Sequence, residues 1–258
     1  MAYITIVSHP INEPKYGWAK QNSRIRIPWN TGSTHCRKFI RRSGQYLRNG
    51  VLEDGELFFW GEYEPESECV IMGKQRPKAV HSNLIPVRGS NPIPPKALNT
   101  DPYVFGNHFK YICCGMRGRT YNLGDVVLFG KIESCNTKFY LILDTVFVIQ
   151  EKVCVDYTMN TSLYYKASIE PLGGKKTYFY RGVNYTSNHQ YYSFVPCLLN
   201  YSNQSQPYLD LADLGFTVKK GWRTWEASPV PFTNDIWDKI LKSVTQAGWM
   251  IGTHVCKV

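Results

Sequence analysis

The chain has 258 residues, 43% of them hydrophobic, and its 30 Lys and Arg outnumber its 20 Asp and Glu for a net charge of +10. That length and apolar share suffice for a substantial core, as one large β-rich domain or two small ones, and the positive excess favours polyanionic partners. No run of 18 apolar residues is present, which excludes a membrane-spanning helix, and MAYITIVSHP lacks the apolar core and cleavage site of a signal peptide, so a cytoplasmic protein is expected.

In chain order, Tyr3 to Ser8 alternates β-formers and predicts a first strand, followed by a basic loop and a short β-like run from Arg24 to Pro28. NTGSTHCRKFIRRSGQYL then predicts a helix. Asn30, Ser33 or Thr34 would cap it, and Cys36, Phe39, Ile40 and Tyr46 or Leu47 would form its apolar face, with Arg37, Arg41 and Arg48 on another. ELFFWGEYEP reads as a strand, and the proline-rich span Lys74 to Pro102 as irregular structure over a surface.

Further strands are predicted at Tyr103 to Cys114, Asp125 to Lys131, Phe139 to Gln150, Thr177 to Arg181 and Tyr191 to Leu198, separated by turn signals at 122–125, 173–174 and 187–188. TNDIWDKILKSVTQAGWMIG predicts a closing helix, with Asn234 as cap, Ile236, Trp237, Ile240, Leu241 and Val244 at helical spacing, and Gly248 as stop. The fold class is therefore α+β, strand-dominated, with helices near both ends. One domain spanning 1–258 is expected, made of a basic part (1–52), a β-rich core (53–200) and a helix-containing end (201–258).

Eight cysteines occur without any C-x-x-C spacing, which suits reduced, mostly buried thiols in a cytoplasm and argues against a zinc site. The Asn-x-Ser/Thr triplets at Asn160, Asn184 and Asn203 are then chance matches.

Charge is distributed in blocks. From Pro14 to Leu52 there are nine basic residues and no acid, and from Glu53 to Glu68 seven acids and no base. A Gly/Ser/Thr loop opening a basic helix would offer unpaired backbone N–H groups, so Ser33, Thr34, Arg37 and Arg41 are candidate phosphate ligands; an ordinary capped helix is the alternative. No Gly-Lys-Ser/Thr closes the loop, so nucleotide hydrolysis is not indicated.

In the acidic block, strand alternation would bring Glu62 and Glu64 alongside Trp60, a face on which a ring could stack and a carboxylate accept from an amino group. Simple charge balance with the basic block is the competing reading, and metal or acid/base chemistry a third. TDPYVFGNHFKYICC adds Tyr103, Phe105 and His108 as a second set of stacking faces with a titratable ring, against the alternative of a core strand. A Cys–His pair there, from Cys113 or Cys114, would need a bent chain to meet. GGKKTYFYRGVNYTSNHQYY interleaves Lys175, Lys176 and Arg181 with aromatic rings, a pattern that suits single-stranded nucleic acid or a plain hairpin equally. No metal or cofactor is indicated.

NLGDVVLFGKIESCNTKFYLILDTVFVI, with Gly124-Asp125 before an apolar strand, a turn and a second long strand, resembles the barrel-forming hairpin of PUA-like domains, the superfamily of the ASCH and EVE modules. That resemblance implies a PUA-like β-barrel core and binding of RNA or modified bases. The combination of VSHP, RKFIRR, FWGEYEPES, TDPYVFG, LGDVVLFG and LDTVFVI resembles a bacterial family akin to the nucleotide-modification-associated domain proteins, which implies association with nucleotide modification and phage defence and supplies no catalytic residues.

Together these readings lead to the expectation of a nucleic-acid or nucleotide-binding protein that recognises a base, modified or not. The alternative is an enzyme acting on nucleotides or nucleic acid, a nuclease, glycosylase or transferase, using Glu62, Glu64 or His108. A subunit that mates with a protein partner through its charge asymmetry is a third class.

Overall fold

A computed structural model describes residues 1–8, 11–12, 25–27, 36–62, 67–72, 77, 79–84, 100–112, 120–170, 178–202, 204–221 and 225–256. In chain order the first strands are β1 (Tyr3–Ser8), β2 (Ile11–Asn12), β3 (Ile25–Ile27), β4 (Cys36–Arg48), β5 (Val51–Gly61), β6 (Ser67–Ile71), β7 (Ala79–Leu84) and β8 (Lys110–Tyr111). A long hairpin follows, β9 (Val126–Cys135) and β10 (Lys138–Cys154), and then β11 (Tyr178–Gly182), β12 (Val195–Leu198), β13 (Tyr208–Asp210), β14 (Val218–Lys220), β15 (Trp225–Ala227) and β16 (Val230–Pro231). Helix α1 (Asn234–Gln246) and strand β17 (Met250–Val255) complete the described chain.

The fold is a strand-dominated α+β arrangement with mixed sheets. One sheet runs β16-β1-β9-β10-β11-β8, with β13 also on β10, and the other runs β17-β12-β5-β4-β7-β6-β3, with β2 also on β4. β17 pairs with β12 on one side and with β4 on the other, so the pairings return from β17 to β4. The Val146–Phe194 bridge, with both backbone bonds at 2.9 Å, ties the two sheets together.

The expected helix over the RKFIRR segment is a strand. β4 pairs with β5 residue for residue from Lys38–Gly61 to Arg48–Val51, around a turn at Asn49-Gly50 whose φ angles are 51° and 79°. Two successive positive φ values are what a two-residue hairpin of this hand requires, and Asn-Gly meets that need at little steric cost. The local helical spacing of Phe39, Ile40, Tyr46 and Leu47 loses to an eleven-residue ladder that buries the end of the hairpin far from the turn. With no helix there, the dipole invoked for a phosphate site is absent. The helix near the C-terminus does form, capped one residue earlier than expected, by Thr233, whose Oγ1 accepts from Ile236 N at 3.3 Å, and Gly248 follows with φ 77°.

The irregular span expected from Lys74 to Pro102 contains β7, while 74–76, 78 and 85–99 lie outside the described residues. Of the strand expected from Tyr103 to Cys114, residues 103–112 form β8 and isolated bridges at Tyr103, Phe105 and Gly106 rather than one strand, and Cys113 and Cys114 lie outside the described residues.

Alternation divides the central strands between two apolar clusters. Phe39, Phe58, Trp60, Val126, Leu128, Val146 and Val148 join one, which α1 covers with Ile236, Trp237, Ile240 and Val244. Ile40, Leu57, Phe59, Val127, Phe129, Phe147 and Ile149 join the other, covered by residues 103–112, by Tyr164 and Ile169, and by β11. Strands buried on both faces explain the near-continuous apolar runs VVLF and TVFVI. Among the described residues Cys135, Cys154, Cys197 and Cys256 are free thiols, and no helix is long and apolar enough to cross a membrane.

Candidate functional site

Two buried polar clusters and one open cleft carry the chemistry. The first cluster centres on Arg37, at the start of β4. Its Nε lies 3.0 Å from Asp144 Oδ2 on β10 and its Nη1 lies 3.7 Å from Glu62 Oε2 just past β5. Nη1 also donates to the Asp101 carbonyl at 3.4 Å, and Gln206 Nε2 donates to Asp144 Oδ1 at 2.8 Å. All three ionic side chains are 4% exposed or less. Burial pushes the Asp144 carboxyl up to about 6, against the opposing pull of the Arg37 charge. This is an internal strut between the sheets.

Lys38, the next residue, points the other way. Its Nζ donates to Ser67 Oγ at 3.1 Å, and Ser67 Oγ lies 2.6 Å from His81 Nδ1. A hydroxyl between a histidine and a lysine is the material of an activated nucleophile, yet none of the three side chains is more than 2% exposed. The cluster fastens β4, β6 and β7 together. Burial, then the charge of Lys38, holds the His81 ring well below its ordinary value, so it stays neutral.

The cleft has a volume of about 460 Å³ and is lined by residues of three segments: Tyr103 to Lys110, Ser162 to Tyr164, and Arg181. A row of residues directly opposite one another crosses the strands behind it: Tyr103 faces Lys110, Lys110 faces Arg181, and Arg181 faces Glu151, which pairs with Arg181 without lining the cleft. Directly opposed residues share one face of a sheet, and like charges so placed repel. Lys110 and Arg181 are such a pair. Arg181 Nη1 is held by Glu151 Oε1 at 2.5 Å, while Lys110 Nζ lies over the rings of Tyr103 (5.5 Å) and Tyr164 (5.3 Å).

The segment after β10 is set by local capping. Asp156 Oδ1 accepts from Thr158 N at 2.8 Å and Ser162 Oγ from Tyr165 N at 3.1 Å, which fixes two short helical turns and brings Ser162, Leu163 and Tyr164 to the cleft. Two buried polar atoms of the lining, Arg181 Nε and the Tyr164 hydroxyl, have no hydrogen-bond partner among the described residues. No carboxylate is among the lining residues. His108 lies at the same cleft, and its ring is shifted below its ordinary value by burial first, then by the charges of Arg181 and Lys110, with Glu151 opposing. The described lining carries two cations, Lys110 and Arg181, and no carboxylate.

Of the residues singled out in the sequence, Tyr103, Phe105 and His108 line the cleft together, although Tyr103 and Phe105 are 5% and 0% exposed and present little ring face. Trp60 packs in the core with its ring centroid 5.3 Å from that of Phe39, and so offers no open stacking face. Glu62 belongs to the Arg37 strut and does not line the cleft with His108. Arg37 is buried, and Arg41 is exposed on β4, where it takes a bidentate pair with Glu56 at 2.6 to 3.0 Å and lies over the Phe58 ring. Ser33, Thr34 and Glu64 lie outside the described residues.

Lys110, Ser162 and Tyr164 carried no motif in the sequence; the interleaving of Arg181 with tyrosines was the one available signal. Among the described residues no group of three or more His, Cys, Asp or Glu side chains gathers as a metal site. No family model matches the chain, and no curated protein or solved structure matches it either.

Proposed function

We propose that the protein binds a phosphate-bearing nucleotide, or the end of a nucleic acid, in the cleft between β8, β11 and the Ser162–Tyr164 turn. The observation that carries this reading is the cross-strand pair Lys110–Arg181, two cations facing one cavity whose described lining holds no carboxylate. An anion between them relieves their repulsion and gives Arg181 Nε an acceptor within reach of the same wall. A cavity of about 460 Å³ falls within the range of small-ligand sites, so the cleft suits one nucleotide unit rather than a length of duplex. Phosphate is the group these residues favour. A base, modified or not, would extend toward the exposed rim at Asn107 rather than stack on the buried rings of Tyr103 and Phe105. The finer architecture we propose is PUA-like, supported by the β9–β10 hairpin and by the strand pairings that return from β17 to β4.

The test is a titration with mononucleotides, 5′-phosphorylated single-stranded DNA, RNA and duplex DNA over a salt series, repeated with Lys110→Gln and Arg181→Gln. Affinity should fall as salt rises. Each substitution should weaken binding about tenfold, since a charge-assisted hydrogen bond contributes roughly 1.5–3 kcal/mol and a factor of ten is 1.4 kcal/mol. No binding at low salt, or variants that bind like wild type, would overturn the reading.

A further inference from the structure

The cleft contains one group that the anion-binding reading does not use. His108 lies just before β8, on the short run from Phe105 to Lys110, lines the cleft with both cations and is partly open to solvent. The charges around it come from every packed element: Lys110 on β8, Arg181 on β11 and Glu151 on β10. Tyr103 and Tyr164 complete the near wall, and burial raises the hydroxyls of both far above neutrality, so neither ionises there. On the adjoining loop, Asn184 Nδ2 donates to the Asn107 carbonyl and His189 Nδ1 lies 3.1 Å from the Asn184 carbonyl, which fixes the loop beside the cleft without adding an acid.

We infer that the cleft selects a terminal phosphate, the dianion of a phosphomonoester, over an internal phosphodiester, and that His108 takes up one proton from solvent as that dianion docks. This rests on the anion-binding reading above.

The argument is one of charge. In the empty cleft burial, and then the charges of Arg181 and Lys110 with Glu151 opposing, disfavour a positive charge on the imidazole. Lys110 and Arg181 against Glu151 leave one net positive charge at the ring, which the single negative charge of a phosphodiester cancels. A phosphomonoester, whose second ionisation lies near pH 6, brings almost two at neutral pH and reverses the sign of the field at the ring. A proton is then favoured on His108, and the imidazolium N–H becomes a further charged donor to the same phosphate. Nothing is oxidised or transferred between partners; the single proton comes from buffer and returns to it on release. His108 is thus a specificity-determining ligand, and Lys110 and Arg181 supply the field through which it discriminates.

Calorimetric titration at pH 7 tests this with adenosine 5′-monophosphate and adenosine 3′,5′-cyclic monophosphate, each in two buffers of different ionisation heat, so that proton uptake is counted directly. The expected result is uptake of a large fraction of one proton with the monoester, uptake near zero with the cyclic diester, and tighter binding of the monoester by tenfold or more. His108→Gln should abolish the uptake and most of the preference while leaving thermal unfolding unchanged. Equal binding of both probes without proton uptake overturns this inference and leaves the anion site standing. Uptake that persists in His108→Gln places the proton on the ligand and also overturns it. Failure of both probes and of inorganic phosphate to bind at low salt removes the anion site and this inference together.

Discussion

The Nε of Arg37 lies 3.0 Å from Oδ2 of Asp144, an ion pair between β4 of one sheet and β10 of the other, with both side chains at 4% exposure or less. It fastens the two sheets inside the core, one residue from the buried Lys38 on the opposite face of β4. Arg37→Met would remove the guanidinium that lies 3.0 Å from the buried Asp144 carboxylate. The expected loss is about 3–5 kcal/mol of unfolding free energy, read as a lower urea midpoint. A midpoint equal to wild type would remove the strut from the account of stability.

Asp144 and His81 set opposite pH dependences. The Asp144 carboxyl is raised in the folded state to about 6, so its contribution is fully present below its unfolded value of about 3.9 and is lost as pH rises through about 6. The His81 ring is lowered, so its contribution is present above its unfolded value of about 6.5 and is lost as pH falls toward its folded value. In Asp144→Asn the first effect disappears. Stability of that variant relative to wild type should therefore increase between pH 4 and 6.5, by roughly 2–3 kcal/mol on the scale of 1.36 kcal/mol per unit. Denaturation curves at four pH values measure it, and a constant difference would refute the assignment.

Trp60 is a core residue, 6% exposed and packed on Phe39. Trp60→Ala should cost about 3–5 kcal/mol by transfer and cavity formation. Nucleotide titration of the folded fraction should be unchanged, and altered base preference in that variant would return Trp60 to the binding site.

Arg41 and Glu56 are 46% and 50% exposed, and solvent screens such a pair. Arg41→Ala should cost less than about 1 kcal/mol in thermal or urea unfolding. Phosphate binding in the cleft should not change, in contrast to Lys110→Gln and Arg181→Gln.

Gly44 is where β17 closes on β4. A Cβ there would overlap the His254 carbonyl oxygen and Leu57 Cδ1, both far closer than van der Waals contact, and the first of these is backbone and cannot rotate away. Gly44→Ala should destabilise by about 1–3 kcal/mol and speed amide exchange along Met250–Val255 first. Uniform exchange across β4 and β17 would show that their pairing is not the weak point.

Much of the strand framework was legible from alternation and turn residues. β1, β3, β5 and the β9–β10 pair lie where the sequence predicts strands, and α1 where Ile236, Trp237, Ile240 and Val244 recur at helical spacing. β4 was misread because its apolar residues satisfy both periods over a short window. Asn49-Gly50 between two β-forming runs was the hairpin signal that outweighs such spacing. In the candidate site, Tyr103, Phe105 and His108 were legible as a local cluster. The role of Lys110 was not, because what distinguishes it is its opposition to Arg181, 71 residues away in the chain.

The sequence alone determined composition-level properties and local periodicity: a basic, strand-rich chain with a C-terminal helix, fixed by side-chain alternation and capping chemistry between near neighbours. Tertiary structure decided which charges are buried and which face a cavity. Arg37 and Arg41 are four residues apart on one strand, yet one is a strut between sheets and the other is paired at the surface. That difference arises from register and sheet packing, long-range quantities that spacing along the chain does not encode.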